Sequence, residues 1–220
     1  MRTSPRARRA LAACCALAAS TTIGAPAVDS AATPSEDSSG PTATIAVPST
    51  QHERLNVRVG QSAVVTGVAR AGRIVVLERR THGRWRALDR ARTDATGRYR
   101  LRRVMKRTGS ARVRVRVAGT STARDLGRMN VYRRTFASWY GPGFYGRRTA
   151  CGQTISDSIR GVAHKTLPCG TRLTLRNGDR IVRARVVDRG PFHTAREFDL
   201  TPAVKRALGF GSTGSVEVAL

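Results

Sequence analysis

The chain has 220 residues, with 40 Lys and Arg against 14 Asp and Glu and a formal net charge of +26. With 40% hydrophobic and 25% charged residues it has a globular balance, which excludes wholesale disorder, and its length suits one or two modest domains. No apolar run reaches the roughly 18 residues of a membrane-spanning helix, which excludes a polytopic membrane protein.

Residues 1–10 (MRTSPRARRA) carry four arginines, and the uncharged apolar stretch LAACCALAAS follows. Small residues then recur in GAPA and DSAA. A basic region, a short apolar region and an A-x-A-like exit read as a secretory signal peptide over residues 1–32, with no stable membrane insertion. The Leu11-Ala12-Ala13-Cys14 stretch looks like a lipoprotein box but has almost no apolar run ahead of it. Secretion places the mature protein outside the cell. Cys14 and Cys15 leave with the signal, so Cys151 and Cys169 remain as a pair in an oxidising compartment, where a disulfide is the default. Closing that loop is worth about 3 kcal/mol in the chain-entropy model. Two thiols with His164 as a third ligand match zinc spacing poorly, and no metal or cofactor is expected.

Residues 33–50 are rich in Ser, Thr and Pro and read as a flexible linker. From 51 to 132 the pattern alternates with period two, in LNVRV, SAVVTGVA, RIVVLERR, RWRALDRART, GRYRLRRV, ARVRVRVAG and GRMNVYR. Seven short strands separated by turn signals predict an Ig-like antiparallel β-sandwich. In ARVRVRV the valines face one way and the arginines line the solvated face. This segment holds 21 Lys and Arg against five acids, Glu53, Glu78, Asp89, Asp94 and Asp125. Arg84-Trp85-Arg86 and Arg98-Tyr99-Arg100 interleave aromatic rings with cations, a pattern that binds polyanions. The competing reading puts Trp85 and Tyr99 in the core beneath a solubilising surface. For an exported protein, anionic wall polymers or peptidoglycan carboxylates are better partners than nucleic acid.

Residues 135–220 differ in texture. Strands are predicted at 136–140, 171–176, 180–187 and 215–219, with Asn177-Gly178 at a tight hairpin. Thr201 reads as an N-cap, Pro202 as the first helical position and Gly209 as the stop of a single helix. Short strands, many glycines and one helix suggest a small barrel.

The acids here sort one by one. Asp179 belongs to the hairpin, Glu217 alternates with valines and is expected to face water, and Asp157 has no evident role. Glu197 and Asp199 share a face if that segment is extended. Asp188 ends the apolar strand Ile181–Val187 and is followed at once by Arg-Gly-Pro, so a rigid turn holds it at a barrel rim, where a tuned acid belongs. A salt bridge to Arg189 is the plain alternative. His164 lies near the cystine, where a lone histidine is more often structural than catalytic. His193, in Gly-Pro-Phe-His, is expected to be exposed.

The segments ASWYGPGFYGRRTACG, GVAHKTLPCGT, VVDRGPF and FDLTPAVKRALGF resemble, in order and spacing, the rare-lipoprotein-A-like (RlpA-like) double-psi β-barrel family over residues 135–220. The cystine-bearing version looks like the secreted actinobacterial branch. The resemblance implies a six-stranded barrel with one short helix and a groove for peptidoglycan glycan strands. It implies lytic transglycosylase activity, in which an acid protonates the glycosidic oxygen between N-acetylmuramic acid and N-acetylglucosamine. The same group then takes the proton of the 6-hydroxyl as a 1,6-anhydro ring closes. Asp188, His164 and Asp199 match the important positions of the family, and Tyr140, Gln153 and Arg189 are read as substrate-binding. Gln153 and Ser156 stand where enzymatic relatives often carry acids. The alternative function is that of a non-catalytic, expansin-like protein that binds and loosens the wall.

Overall fold

The computed structural model describes residues 46–193 and 195–220. The segment read as a signal peptide and most of that read as a linker lie outside the described residues. Eight strands come first: β1 (Ser49–Arg54), β2 (Asn56–Arg58), β3 (Ser62–Val68), β4 (Ile74–Thr81), β5 (Arg84–Arg92), β6 (Arg98–Val104), β7 (Gly109–Val117) and β8 (Ala123–Trp139). One sheet runs β1-β3-β6, and the other runs β5-β4-β7-β8 with β2 added beside β8. β2 pairs parallel to β8, whereas the other pairings of the sandwich are antiparallel. β1 begins inside the stretch read as linker. Its STQHER sequence has no apolar alternation, and it is recruited by backbone pairing to β3.

The alternating pattern does what period two requires. Val65, Leu77, Leu101, Val113 and Val115 are fully buried between the sheets. The arginines of β7 are not simply solvated, however. Arg114 and Arg116 donate to Glu78, which is only 6% exposed, and Arg114 also covers the Trp85 ring at 4.2 Å. Burial raises the Glu78 pKa, but those arginine hydrogen bonds and charges outweigh it and leave the value lowered. Tyr99 is a core residue whose hydroxyl donates to the Ser49 carbonyl at 2.8 Å.

β8 continues through residues 133–139 into a second body made of β9 (Gly161–His164), β10 (Arg172–Asn177), β11 (Arg180–Asp188), β12 (Phe198–Leu200), helix α1 (Pro202–Leu208) and β13 (Thr213–Ala219). Pairing runs β8-β13-β10-β11-β9-β12 and returns from β12 to β8, which closes a six-stranded barrel. The β9–β11 and β8–β12 pairs are parallel, and the others are antiparallel. β9 and β12 are too short to show a period in sequence. The barrel core is filled by Val162, Leu173, Leu175, Val186, Phe198 and Leu200, among others.

Helix α1 starts at Pro202 and stops where Gly209 takes a left-handed φ of 57°, which a side chain would resist. Thr201 does not cap it. Its hydroxyl instead donates to the Ile159 carbonyl at 2.6 Å and accepts from the Gly161 N–H at 3.1 Å, tying the helix start to β9.

Glu217 does not face water. It is 8% exposed and pairs with Arg58 of β2 and Arg176 of β10, and Arg176 in turn lies 4.5 Å over the Tyr132 ring. Burial raises its pKa, and the two guanidinium groups more than reverse that. The sandwich and the barrel therefore share a continuous strand and a common ion cluster within one compact unit.

Candidate active site

A cavity of about 490 Å³ opens on the barrel, bounded by Trp139, Tyr140, Phe144, Asp188, Phe192 and Asp199, with Arg147, Arg148 and Arg196 at its edges. Its position follows from strand register. Asp188 of β11 lies opposite Ala163 of β9, Ala163 lies opposite Asp199 of β12, and Asp199 lies opposite Ser138 of β8. Four strands thus contribute one row of residues. Ala163, Tyr140 and Ile155 form a small apolar cluster of their own, separate from the barrel core.

Asp188 is held by three donors. The Tyr140 hydroxyl donates to Oδ2 at 2.7 Å, and the N–H groups of Ala150 and Arg189 donate to Oδ1 at 2.7 and 2.8 Å. Among the described residues no guanidinium or ammonium group pairs with it. The Arg189 side chain turns away, donating to the Leu167 carbonyl at 2.9 Å and to the His164 carbonyl and Cys169 Sγ at 3.4 Å each. Burial first, and then the hydrogen bond to Asp188, pushes the Tyr140 hydroxyl far above its ordinary pKa, so it stays a hydroxyl that can donate or accept. Asp199 accepts a hydrogen bond from Ser138 Oγ.

The segment that brings Ala150 to Asp188 is fixed at its base. Cys151 and Cys169 form a disulfide, 18 residues apart in sequence. Beside it, Thr149 N–H donates to the Gln153 carbonyl at 2.7 Å, and Arg148 bridges Thr154. Gln153 serves that turn through its backbone and does not line the cavity. On the other flank Gly161 packs so tightly on Val187 that an added Cβ would collide with it, which seats β9 against the end of β11.

His164 lies elsewhere. It follows Ala163 by one residue and so faces the opposite side of β9, with its ring 4.9 Å from Phe198. Its Nδ1 accepts from the Thr166 and Leu167 N–H groups, and Nε2 lies 3.4 Å from Glu197 Oε1. Glu197 also accepts from Arg133 and Thr135. Glu197 lies in a bend just before β12 rather than in an extended segment, so it does not share a face with Asp199, and His164 is not brought to the groove. Asp157 is on the surface, held by Tyr145 and Arg206. No group of three or more His, Cys, Asp or Glu side chains among the described residues is arranged to hold a metal ion.

Sequence reasoning missed the aromatic rim. Trp139, Phe144 and Phe192, the last 87% exposed, line the groove. The density of aromatics in SWYGPGFYG was the available signal. The Ala150 N–H that anchors Asp188 had none.

The closed six-stranded ring with a groove at the ends of β11 and β12 defines the class, a double-psi β-barrel. Residues 133–220 match the family described as lytic transglycolase, and this domain is an RlpA-like barrel. Over 87 residues it is 51% identical to the "Probable endolytic peptidoglycan transglycosylase RlpA" of Synechocystis sp., covering 38% of this chain and 27% of that one. The endolytic peptidoglycan transglycosylases RlpA of Campylobacter jejuni and Pseudomonas aeruginosa are 42% and 43% identical over 86 and 84 residues, covering 38% and 37% of this chain. The chain spans 31% and 25% of the length of those two relatives.

Proposed function

We propose that the protein is a peptidoglycan lytic transglycosylase acting outside the cell at the wall, with Asp188 as its proton donor. The observation that supports this best is the placement of Asp188: a carboxyl group in an open groove, beside a Tyr140 hydroxyl that can donate to it or accept from it, and unpaired with any cation among the described residues. The relatives that share this barrel carry the name of that activity.

In this reading a glycan strand lies in the groove that holds Asp188 and Asp199, beside the aromatic rim. The protonated Asp188 gives its hydrogen to the glycosidic oxygen between N-acetylmuramic acid and N-acetylglucosamine. The carboxylate so formed takes the proton of the muramyl 6-hydroxyl, and that oxygen closes the 1,6-anhydro ring. No water is activated, so a second carboxylate is not needed as a base, unlike the two-carboxylate scheme of ordinary glycosidases. Tyr140 supports both forms of the acid, because its hydroxyl donates to the carboxylate and accepts from the carboxylic acid. Asp199, fixed by Ser138, is placed to bond a sugar hydroxyl or to favour positive charge developing on the ring.

A second reading, wall binding and loosening without cleavage, is favoured by the placement of His164 against Glu197 rather than in the groove. Incubation of purified sacculi with the protein separates the two. Release of anhydro-ended muropeptides, read by mass spectrometry, supports cleavage; weakened sacculi with no new ends support loosening.

A further inference from the structure

The outer wall of the barrel carries a charge concentration that the groove does not use. β10 and β11 pair antiparallel, with Arg172 opposite Arg185 and Thr174 opposite Arg183. Leu173, Leu175, Val182, Ala184 and Val186 point into the core, so Arg172, Arg183 and Arg185 stand together on the outside. Arg160 joins them from the residue before Gly161, which pairs with Arg185. These four arginines and Ala184 line a cavity of about 410 Å³. Among the described residues none of the four has a carboxylate partner. Glu217, further along the same face, is committed to Arg58 and Arg176.

The charge continues across the junction with the sandwich. Thr174 Oγ1 lies 3.5 Å from Ser110 Oγ of β7, and Arg128 Nη1 donates to that same hydroxyl at 3.2 Å. Arg112, whose carboxylate partner is Asp125, sits opposite Arg128. Burial, and then repulsion from Arg183, Arg112 and Arg172, lowers the Arg128 pKa, so guanidinium groups of both bodies share one field. Like charges set directly opposite each other, as Arg172 and Arg185 are, destabilise a sheet, and a bound anion removes that cost.

We infer that this face, from Arg160 across Arg183 and Arg185 to Arg128, binds a linear polyol-phosphate chain, joined by phosphodiesters and without nucleobases, at a site separate from the glycan groove. The inference takes its extracellular setting from the wall-directed reading above, and it locates the anionic partner on the barrel wall rather than on the sandwich surface where the sequence suggested it. A phosphodiester keeps its negative charge at every pH, and its two free oxygens match the guanidinium fork, which suits a cavity whose only charged lining groups are arginines. Arg183 and Arg185 are two residues apart on one strand, roughly 6.6 Å, so successive charged groups of a chain can each meet one. The cavity has no aromatic side chain on which a nucleobase would stack, which disfavours nucleic acid.

The test is binding of the full chain to poly(glycerol phosphate), with poly-L-glutamate and oligothymidylate of matched charge as comparison probes, at low and high salt. Poly(glycerol phosphate) is expected to bind in a salt-sensitive manner. Arg183→Ala/Arg185→Ala should weaken it at least tenfold. Arg79→Ala/Arg86→Ala, an exposed cross-strand pair of β4 and β5 carrying the same charge, should change it less than twofold. Arg183→Lys/Arg185→Lys, which keeps charge but not the fork, should fall between, and circular dichroism checks that each variant is folded. Equal loss in both alanine pairs, equal binding of polyglutamate, or tighter binding of oligothymidylate overturns the inference. Absence of sacculus cleavage with this binding intact would remove the groove reading and leave the second site standing.

Discussion

Asp188 and Asp199 reach the same groove from different strands, one on either side of Ala163. Two strand spacings, roughly 9.5 Å, separate their backbones, and a different hydroxyl holds each: Tyr140 for Asp188 and Ser138 for Asp199. The barrel thereby gives two carboxylates separate surroundings within one cleft.

In the proposed reaction Tyr140, whose hydroxyl donates to Asp188, positions the acid. Tyr140→Phe keeps the ring and removes the hydroxyl, and about tenfold loss in kcat is expected with little change in KM, since a hydrogen bond to a charged group is worth roughly 1.5 kcal/mol or more. The pH profile of kcat should move as well. An unchanged profile with an unchanged rate would place Tyr140 outside the chemistry.

The disulfide holds the turn that delivers Ala150 N–H to Asp188. Cys151→Ser/Cys169→Ser is expected to lower stability by about 3 kcal/mol and activity by more than the unfolded fraction explains. Thermal melts beside activity measured well below the melting temperature separate the two effects.

Glu197 sets an acid limb for stability. Burial raises its pKa, but hydrogen bonds from Arg133 and Thr135, with the Arg133 charge, hold it down to about 2 against an ordinary 4.5. A lowered folded value stabilises the fold fully above pH 4.5, and the contribution is lost as pH falls toward 2. Allowing for its partial exposure, Glu197→Gln should remove on the order of 2 kcal/mol at neutral pH and flatten this limb. Denaturant unfolding at several pH values checks it.

Glu217 joins sandwich to barrel through Arg58 and Arg176. Glu217→Ala leaves both guanidinium groups without their carboxylate, and a loss of about 2 kcal/mol, seen as a melting temperature lower by roughly 5 °C, is expected. The loss should shrink in Arg58→Ala/Glu217→Ala relative to the sum of the single variants.

The sequence was most legible where patterns are long. Val113, Val115 and Val117 of β7 alternate over enough residues to declare a half-buried strand, and Asp188 could be placed at a rim because Arg-Gly-Pro ends an apolar run. Glu217 was misread because alternation says only which face a residue takes; Arg58, which covers that face, comes from the other domain, 159 residues away. His164 and Ala163 are neighbours in sequence but face opposite sides of a four-residue strand too short to reveal its register. Thr201 has the composition of a cap, but the Ile159 carbonyl and the Gly161 N–H of β9 engage its hydroxyl instead.

The most direct test compares the chain with Asp188→Asn on purified sacculi, counting anhydro-ended muropeptides by mass spectrometry. Loss of a positioned proton donor costs roughly 100-fold or more, so the variant should fold, bind sacculi as before and release less than about one hundredth of the product. Release by the folded variant within threefold of the parent chain would contradict the assignment of Asp188 as the acid.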